Sequence, residues 1–312
     1  MSLATSSKKI LRFISDSDYR FLVLAGRGWE GHVPADKFLQ RMYRICMHRE
    51  LDLDSPKSYT EKLQWLKMYD HRPEYTNMVD KYTVKQYVSE KIGAEYVIPA
   101  LAVWDRVQDI DFNSLPESFV LKTTHDSGGI VVCKSKKDLN YTAARKTLRS
   151  FYRRNYYNHN REWPYKNVPH RIIAEPYMED SATKELRDYK FFTFGGVPKV
   201  LYIAQGRGSG NETRADFFDM DFNHLPFTID HDMAPVPPEK PVNFELMKEL
   251  AAKLSEGTPQ LRVDFYEVDG KVYFGEMTFF HCSGMEAFHP EEWDRIFGDW
   301  LVLPPKRMEG AN

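Results

Sequence analysis

Residues 261–278 read LRVDFYEVDGKVYFGEMT, which is two strand-like runs joined at Asp269-Gly270. Apolar and polar residues alternate along both runs, as they do in strands that bury one face. An Asp-Gly pair between such runs is typical of a tight hairpin turn. The first run carries Arg262 and Asp264 on one face, and the second run carries Glu276. The sequence therefore predicts a β-hairpin with an acidic side chain on each strand.

The length of the turn decides whether Asp264 and Glu276 meet. A two-residue turn would put them on opposite faces of the hairpin. A three-residue turn, Val268-Asp269-Gly270 with its glycine in the left-handed conformation, places Glu276 across from Arg262 and diagonal to Asp264. We predict this second register, because two carboxylates on one face can share a hard cation. A solvent-facing pair of charged strands has the same spacing, so the hairpin alone does not establish a metal site.

Outside the hairpin, helix-like and strand-like patterns follow one another without regular alternation. Helical spacing of apolar residues covers much of the first eighty residues, where Ser58 and Glu61 have capping-box spacing. We predict further helices at 80–91, 142–157 and 244–254, the last capped by Asn243, and strands at 96–104, 119–122, 130–133, 171–175 and 189–194. This order predicts an α+β fold rather than a doubly wound parallel sheet.

Composition narrows the class of protein. The chain has 312 residues, and 43 Lys and Arg against 45 Asp and Glu give a net charge of −2. This balance argues against a general nucleic-acid-binding protein, which would carry a basic excess. No apolar run approaches the roughly 18 residues of a membrane span, and the polar start MSLATSSKK lacks the apolar core of a secretory signal. We expect a cytoplasmic protein whose three scattered cysteines, Cys46, Cys133 and Cys282, are reduced thiols.

A second motif joins a lysine to a glycine-bearing loop. Phe119-Val-Leu-Lys122 is strand-like and is followed by Thr-Thr-His-Asp-Ser-Gly-Gly at 123–129. Backbone N–H groups in such a loop can fold over phosphate oxygens, and the two glycines permit close approach. Lys122 would supply a point charge to the phosphates. The loop is neither a Walker motif nor a G-x-G-x-x-G motif, and a plain hairpin turn is its alternative interpretation.

Together these segments resemble the ATP-grasp superfamily, and most of all its branch named for teichuronopeptide biosynthesis, the TupA-like proteins of bacterial surface-polysaccharide gene clusters. Members of that branch are sometimes described as glycosyltransferases. The resemblance extends from about Lys37 to about Phe288. It is carried, in order, by 55–67, Asp80-Lys81, Tyr87-Val88, Ile98-Pro99, Lys122, Ser127-Gly-Gly129, Glu175-Pro-Tyr-Met178, Asp188-Tyr-Lys-Phe191, Arg262-Val-Asp264, 274–279 and Ser283-Gly284.

The resemblance implies a site for ATP. Lys81 and Lys122 would reach the nucleotide phosphates. Beside adenine, the carbonyl of Pro176 would accept a hydrogen bond and the N–H of Met178 would donate one, which a proline permits because only its carbonyl is used. Ribose would be bound by Glu179, Asp180 or Glu185. The full implied nucleotide-binding set is Lys81, Lys122, Ser127, Gly128, Gly129, Glu175, Pro176, Tyr177 and Met178.

The resemblance also implies Mg²⁺ held by Asp264, Glu276 and Thr278. Many relatives have Asn where this chain has Thr278, and a hydroxyl is a weaker ligand than an amide oxygen. The resemblance therefore does not decide whether the site binds one Mg²⁺ ion or two. The implied catalytic residues are Lys122 and Arg262, the latter stabilising the transferred group. The implied fold is an ATP-grasp fold of two α+β lobes gripping ATP, at 93–180 and 181–312, preceded by a mainly helical region at 1–92.

The function implied is an ATP- and Mg²⁺-dependent ligase that joins a carboxylate to an amine through an acyl phosphate. From the family context, the carboxylate would belong to a uronic acid of a capsular or other surface polysaccharide or its precursor, and the amine to an amino acid. The enzyme would then be peripheral to the inner membrane through its substrate. Candidate substrate-binding residues are Arg207, Arg214, Ser283 and Gly284.

Two other functions stay open. A glycosyltransferase would use an acidic D-x-D motif, and Asp219-Met-Asp221 and Asp52-Leu-Asp54 have that form. A nucleotide-binding protein without catalysis is the third possibility. The basic, aromatic run 145–161 could hold an anionic polysaccharide or could be a solvated helix face. No base and orienting partner are evident around Cys282, so we expect His281-Cys282 to pack or to line the substrate pocket.

Overall fold

The structure is a computed structural model that describes residues 3–206 and 212–308. In the described part of the chain, six α-helices precede the first strand: α1 (Leu3–Ser15), α2 (Ser17–Ala25), α3 (Ala35–Met47), α4 (Tyr59–Tyr69), α5 (Glu74–Val79) and α6 (Val84–Ile92). The capping box predicted at the start of α4 is present, since Ser58 Oγ accepts from the Glu61 N–H and Glu61 Oε2 accepts from the Ser58 N–H.

A four-stranded antiparallel sheet follows. It contains β1 (Ala102–Trp104), β2 (Phe119–Thr123), β3 (Ile130–Cys133) and β4 (Ile172–Pro176), in the spatial order β1-β4-β2-β3. Helix α7 (Tyr141–Tyr152) covers it and buries Ala144 and Leu148. The short helix α8 (Tyr157–Asn160) comes before β4.

Two predicted elements in this region are shorter than expected. Only 102–104 of the predicted strand 96–104 pairs with another strand, because Pro99 has no N–H to donate to a sheet. The predicted helix 142–157 ends at Tyr152. The polar run Arg153-Arg154-Asn155 offers no apolar side chain to bury, and the Arg154 N–H closes the last turn on the carbonyl of Phe151.

The second sheet has six antiparallel strands in the order β10-β9-β5-β6-β7-β8. They are β5 (Asp188–Phe194), β6 (Val197–Gln205), β7 (Arg214–Phe218), β8 (His224–Leu225), β9 (Gln260–Val268) and β10 (Lys271–Thr278). Helix α9 (Phe244–Ser255) buries its predicted apolar face against this sheet, and α10 (Glu292–Trp300) packs on α4. Asn243 does not cap α9 with its side chain as predicted. Its amide donates instead to Glu267 Oε1 and to the carbonyl of Gly270.

The β9–β10 hairpin corrects the predicted turn. Val268 pairs with Lys271, so the turn has two residues, Asp269 and Gly270, with φ of 50° and 75°. Both residues are left-handed, and this kind of two-residue turn matches the twist of the flanking strands. The three-residue turn that we predicted is therefore wrong.

A bulge in β10 nevertheless supplies the register shift. Phe274 pairs with Phe265, but Glu276 pairs with Asp264, which leaves Gly275 as the extra residue. A β-carbon at Gly275 would lie 3.1 Å from the carbonyl oxygen of Asp264, so glycine suits the close approach. Glu276 thus lies opposite Asp264, rather than opposite Arg262 as predicted, and Thr278 takes the place opposite Arg262.

The mixture of helices and antiparallel sheets confirms the predicted α+β class. One sheet lies within 102–176 and the other within 188–278. Among the described residues, no helix has both the length and the apolar character needed to cross a membrane. The lobe boundaries at 92 and 180 remain predictions.

Candidate active site

A polar cavity of about 450 Å³ opens beside the β9–β10 hairpin. Lys190 from β5, Arg262 from β9, and Glu276 and Thr278 from β10 form one wall. Lys81 and Ser127 come from the first part of the chain. The remaining lining residues that matter here are Glu162, Tyr202, Asp230, His281, Cys282, Ser283 and Glu286. Cationic and acidic groups therefore face one enclosed space.

Asp264 lies behind this wall, with no exposed surface, and does not line the cavity. Arg262 binds it through two nitrogens, Nε to Oδ1 at 2.7 Å and Nη2 to Oδ2 at 2.8 Å. Lys190, the partner of Asp264 in the pairing of β5 with β9, places its Nζ 2.5 Å from Oδ2. Burying a charge is costly unless it is paired, and here two cations neutralise one carboxylate.

Glu276 is the accessible carboxylate of the wall, with 45% of its side chain exposed. Its Oε1 accepts from Arg262 Nη2 at 2.8 Å and from the Thr278 hydroxyl at 3.4 Å. On Asp264, two donors occupy Oδ2, whereas Oδ1 accepts from one donor among the described residues. Glu276 and Thr278 line the cavity, whereas Asp264 lies behind them, fully buried and paired with Arg262 and Lys190. Oxygen donors of this kind suit a hard divalent cation, and Glu276 is the most available of the three predicted Mg²⁺ ligands.

His281 holds the other side of the Arg262 guanidinium. Arg262 Nη1 lies 2.8 Å from His281 Nδ1. Arginine has only donors, so Nδ1 must be the acceptor and the ring proton must be on Nε2. Burial, together with the charge of Arg262, lowers the pKa of His281 to about 3, so the ring is neutral. His281, Asp230 and Cys282 lie close enough to suggest a second metal site, but the Nε2 proton and the Arg262 bond at Nδ1 leave His281 no free ligand atom.

The turn after β10 is left-handed at three consecutive residues. Cys282, Ser283 and Gly284 have φ of 46°, 57° and 61°. In a non-glycine residue this conformation costs free energy, so contacts with the surrounding protein must stabilise it. A β-carbon at Gly284 would lie 2.6 Å from Gln64 Nε2, which explains the glycine there.

Helix α4 supplies the groups that hold this turn. Gln64 Nε2 donates to the carbonyls of Ser283 and Gly284 at 3.1 and 3.0 Å, and Lys67 Nζ donates to the carbonyl of Ser283 at 2.8 Å. Glu162 accepts from the Ser283 hydroxyl. Burial lowers the pKa of Lys67 to about 8. We did not single out Gln64, Lys67 or Glu162 from the sequence, although a lysine on the buried face of α4 was a usable signal.

The glycine-bearing loop lies next to this wall. Lys81 Nζ donates to the carbonyl of Asp126 at 2.6 Å, and its charge interacts with Glu276 and Lys122. Ser127 lines the cavity, and Gly128 has a φ of +91°. A β-carbon at Gly129 would clash with Thr123 Oγ1. Gly128 therefore suits its left-handed backbone and Gly129 suits the close approach of Thr123. Lys81 and Ser127 line the same cavity as Glu276.

A second cavity, of about 480 Å³, contains the predicted adenine segment. Pro176, Tyr177 and Met178 line it together with apolar side chains from β2 and β3 and with Tyr266 of β9. Lys122 also lines it, and its Nζ lies 2.6 Å from Glu175 Oε2. The cavity thus combines apolar walls, which suit a flat base, with a lysine at one side.

Glu175 is the centre of an ion-pair network in that cavity. Lys85 binds Glu175 Oε1 at 2.5 Å, on the side away from Lys122. Burial acts to raise the pKa of Glu175, but the two lysines outweigh it and the pKa is lowered. Lys85 was not among the predicted residues. Of the three ribose candidates, Glu179 and Glu185 line the cavity. Asp180 instead accepts from the backbone N–H of Asp269 and from those of Ala182 and Thr183, and these hydrogen bonds lower its pKa to about 2.

Other predicted residues lie elsewhere. Arg214 pairs with Glu212 and Asp232 and lines neither cavity, while Ser283 lines the first cavity with Gly284 next to it. Arg207 lies outside the described residues. In both D-x-D motifs the first aspartate accepts from nearby backbone N–H groups and shapes a turn, Asp219 from Asp221 and Asn223, and Asp52 from Asp54 and Ser55.

The basic run 145–161 does not form one binding surface. Arg145 donates to the carbonyls of Val107 and Ile110, and Arg161 is buried and donates to the carbonyls of Glu30 and Asn158. Arg145 and Arg161 therefore bind neighbouring backbone, whereas Arg149, Arg153 and Arg154 are exposed, so the run matches the predicted solvated helix face only in part.

Comparison with known proteins gives a family match. A family model described as TupA-like ATPgrasp matches residues 61–302. No curated protein matches the sequence significantly. Among solved structures, the chain is similar to the D-alanine-D-alanine ligase from Helicobacter pylori, with 15% identity and a TM-score of 0.41 over 73% of this chain and 60% of that chain.

Two further solved structures show the range of the likeness. The D-alanine--D-alanine ligase from Bacillus anthracis complexed with ATP has 12% identity and a TM-score of 0.39, over 65% of this chain and 53% of that one. The ATP-grasp ligase PsnB complexed with minimal precursor, Mg and ADP has 9% identity and a TM-score of 0.39, over 70% of this chain and 57% of that one. The chain therefore spans little more than half the length of these structures.

Proposed function

Because the chain belongs to the TupA-like ATP-grasp family, we propose that it is an ATP- and Mg²⁺-dependent ligase that joins a carboxylate to an amine through an acyl phosphate. One observation carries the proposal. Glu276, Arg262 and Lys81 line one cavity, and Lys122 and the segment 175–178 line another, with the charge of Lys81 interacting with both Glu276 and Lys122.

In this proposal the second cavity takes the base and the first takes the phosphates. The carbonyl of Pro176 and the N–H of Met178 are the backbone groups offered to adenine. Lys122 and Lys81 would meet successive phosphates, and Ser127 of the glycine-bearing loop lines the first cavity together with Lys81. Positioning and charge neutralisation are the main tasks in phosphoryl transfer, so fixed cations supply what the reaction needs.

Asp264, Glu276 and Thr278 are the residues that would hold Mg²⁺, which when bound offsets phosphate charge. The carboxylate oxygen of the first substrate attacks the γ-phosphorus, and ADP leaves. Arg262 is held on both sides, by Asp264 and by His281, and it lines the cavity. A preorganised guanidinium at this place stabilises the charge that develops on the transferred group without having to reorient.

The amine then attacks the acyl carbon, phosphate leaves, and the nitrogen gives up a proton as the amide forms. Asp230 and Glu286 also line the cavity, and they would give an incoming ammonium group an anionic surface. From the family context, we propose a uronic acid of a surface polysaccharide or its precursor as the carboxylate, and an amino acid as the amine. The reaction places the enzyme in the cytoplasm, where ATP is available.

The test is a reaction of the purified protein with ATP, Mg²⁺, a uronate acceptor and a panel of amino acids, followed by mass spectrometry. We expect ADP and phosphate to form in step with a product heavier by one amino acid less water. ATP consumption without an amide product over the whole panel would overturn the ligase assignment. Binding of UDP-sugars in preference to ATP would favour the glycosyltransferase function instead. The D-x-D motifs do not support that function, because the first aspartate of each one stabilises a turn.

A further inference from the structure

Helix α1 presents an apolar stripe that the rest of the described chain leaves uncovered. Ile10, Leu11 and Ile14 are 61%, 66% and 68% exposed. Ile10 and Ile14 are four residues apart and therefore lie one above the other on the same face of the helix, with Leu11 beside them. Single exposed apolar residues are common, but three adjacent ones on one helix form a patch that needs an explanation.

The same helix is basic. Its sequence, LATSSKKILRFIS, contains three cationic residues and no acidic one, whereas the whole chain has a net charge of −2. Lys9 and Arg12 lie, by helical geometry, on the side away from Ile10 and Ile14. The helix thus has an apolar face, formed by Ile10, Leu11 and Ile14, and a positively charged face on its opposite side.

The helix is fixed to the protein at one end. Arg20 of α2 donates through Nη1 to the carbonyls of Phe13 and Ile14, at 3.0 and 2.9 Å, and so binds the last turn of α1. At 13 residues the helix is about 20 Å long, which is too short to span a bilayer but long enough to lie along its surface.

We propose that α1 docks on an anionic lipid surface, with Ile10, Leu11 and Ile14 inserted among the acyl chains and Lys9 and Arg12 at the headgroups. An apolar face opposite a cationic face is the pattern of helices that lie in a membrane interface. Charge complementarity selects this occupant, because a basic helix in an otherwise acidic chain is attracted to anionic lipid. Arg12 also pairs with Asp16, so Lys9 carries the larger part of this attraction. A second copy of this chain, with net negative charge, offers no comparable attraction.

The test is flotation of the full-length protein with vesicles. Two compositions are compared, phosphatidylcholine alone and phosphatidylcholine with an equal part of phosphatidylglycerol. We expect the protein to float with the anionic vesicles only, and to be released by high salt. The double variant Ile10→Ser/Ile14→Ser should bind at least about tenfold more weakly, since it removes two inserted side chains. Lys9→Glu should weaken binding roughly tenfold as well.

Matched controls separate the helix from general surface effects. Val236→Ser/Val242→Ser removes two aliphatic side chains that are 76% and 90% exposed elsewhere, and Lys199→Glu reverses an exposed lysine on β6. Both should float like the wild type. Equal Tm values for all variants would show that they fold.

Three outcomes would overturn the proposal. They are absence of flotation with anionic vesicles, flotation that Ile10→Ser/Ile14→Ser leaves unchanged, and a wild-type dimer in gel filtration that this variant converts to a monomer without any effect on flotation. The last outcome would show that a second copy covers the stripe. Because flotation is measured without ATP, its result does not depend on the proposed ligase activity.

Discussion

Glu276 lies directly across from Asp264 in the β9–β10 pairing, although a regular ladder from the two-residue turn would place Gly275 there. The single bulged residue brings the two carboxylates to one face. Their environments then differ, because Asp264 is fully buried between Arg262 and Lys190, while nearly half of the Glu276 side chain is exposed. One carboxylate is positioned by the protein and the other is open to a ligand.

Replacing Asp264 should cost stability as well as activity. Asp264→Ala leaves Arg262 and Lys190 buried without their shared carboxylate, and breaking a buried pair in this way typically costs about 3–5 kcal/mol. Urea unfolding followed by fluorescence measures the free energy of unfolding. Glu276→Ala is the control, and its effect should be below about 1 kcal/mol, because Glu276 is half-exposed. Equal losses for the two variants would contradict the assigned difference in environment.

Lys67→Met should weaken binding of the second substrate more than binding of ATP. Lys67 holds the carbonyl of Ser283, so its loss loosens the left-handed turn that borders the first cavity. We expect KM for the acceptor to rise about fivefold or more, with KM for ATP little changed. Steady-state kinetics with each substrate varied in turn provide the measurement.

Lys62→Met is the matched control for Lys67. Lys62 is on the same helix, and its Nζ also donates to two carbonyls, those of Gly298 and Leu301, which lie at α10 rather than at the cavity. Its removal should leave both KM values near those of the wild type. A similar rise in acceptor KM for both variants would mean that the lysines of α4 affect substrate binding only through the stability of the whole protein.

Glu175→Gln should weaken ATP binding. Glu175 neutralises Lys85 and Lys122 at 2.5 and 2.6 Å, and without its charge the two lysines repel and Lys122 leaves its place beside the nucleotide cavity. We expect KM for ATP to rise roughly tenfold. The control is Glu245→Gln, because Glu245 also pairs with two lysines, Lys240 and Lys248, but lines neither cavity, and this variant should keep the wild-type KM for ATP. An unchanged KM for ATP in Glu175→Gln would contradict the assignment of Lys122 to the ATP site.

Stability should fall in mild acid because of His125. Burial, and then the neighbouring His170, lowers the pKa of His125 from 6.5 to about 4. The unfolded chain takes up a proton near pH 6.5 and the folded chain does not, so the stabilising contribution is complete above pH 6.5 and is lost as the pH falls towards 4. Relative to His125→Gln, the wild type should lose about 1–3 kcal/mol of unfolding free energy over that range. Parallel curves for the two proteins, measured by urea unfolding, would contradict this.

Local patterns predicted much of the architecture. Alternation and turn residues located both strands of the β9–β10 hairpin, helical spacing located α4 and α9, and the order of short motifs led to the family that the family match confirms. These features are predictable because each depends on neighbouring residues. The bulge at Gly275 was missed because either an extra turn residue or an extra strand residue produces the same shift, and sequence periodicity does not distinguish them.

The supporting residues of the candidate site depended on contacts between distant parts of the chain. The hydrogen bonds from Gln64 and Lys67 to Ser283 join residues more than 200 positions apart, and the ion pair of Lys85 with Glu175 joins residues 90 positions apart. No local sequence pattern predicts such a contact. The assignments of Asp264, Glu276, Thr278, Lys81 and Lys122 to metal and phosphates remain predictions. The structure brings Lys81, Glu276 and Thr278 to one cavity but leaves Arg214 away from it.

The most direct test of the account is the Mg²⁺ dependence of ATP binding, measured by isothermal titration calorimetry on the wild type and on Glu276→Gln. The substitution keeps the shape of the side chain, and Arg262 remains held by Asp264 and His281. We predict that Mg²⁺ tightens ATP binding to the wild type by tenfold or more, and that Glu276→Gln binds ATP with almost the same affinity with and without Mg²⁺. An equal effect of Mg²⁺ on both proteins, or no ATP binding to the wild type, would contradict the assignment of Glu276 to a metal–nucleotide site.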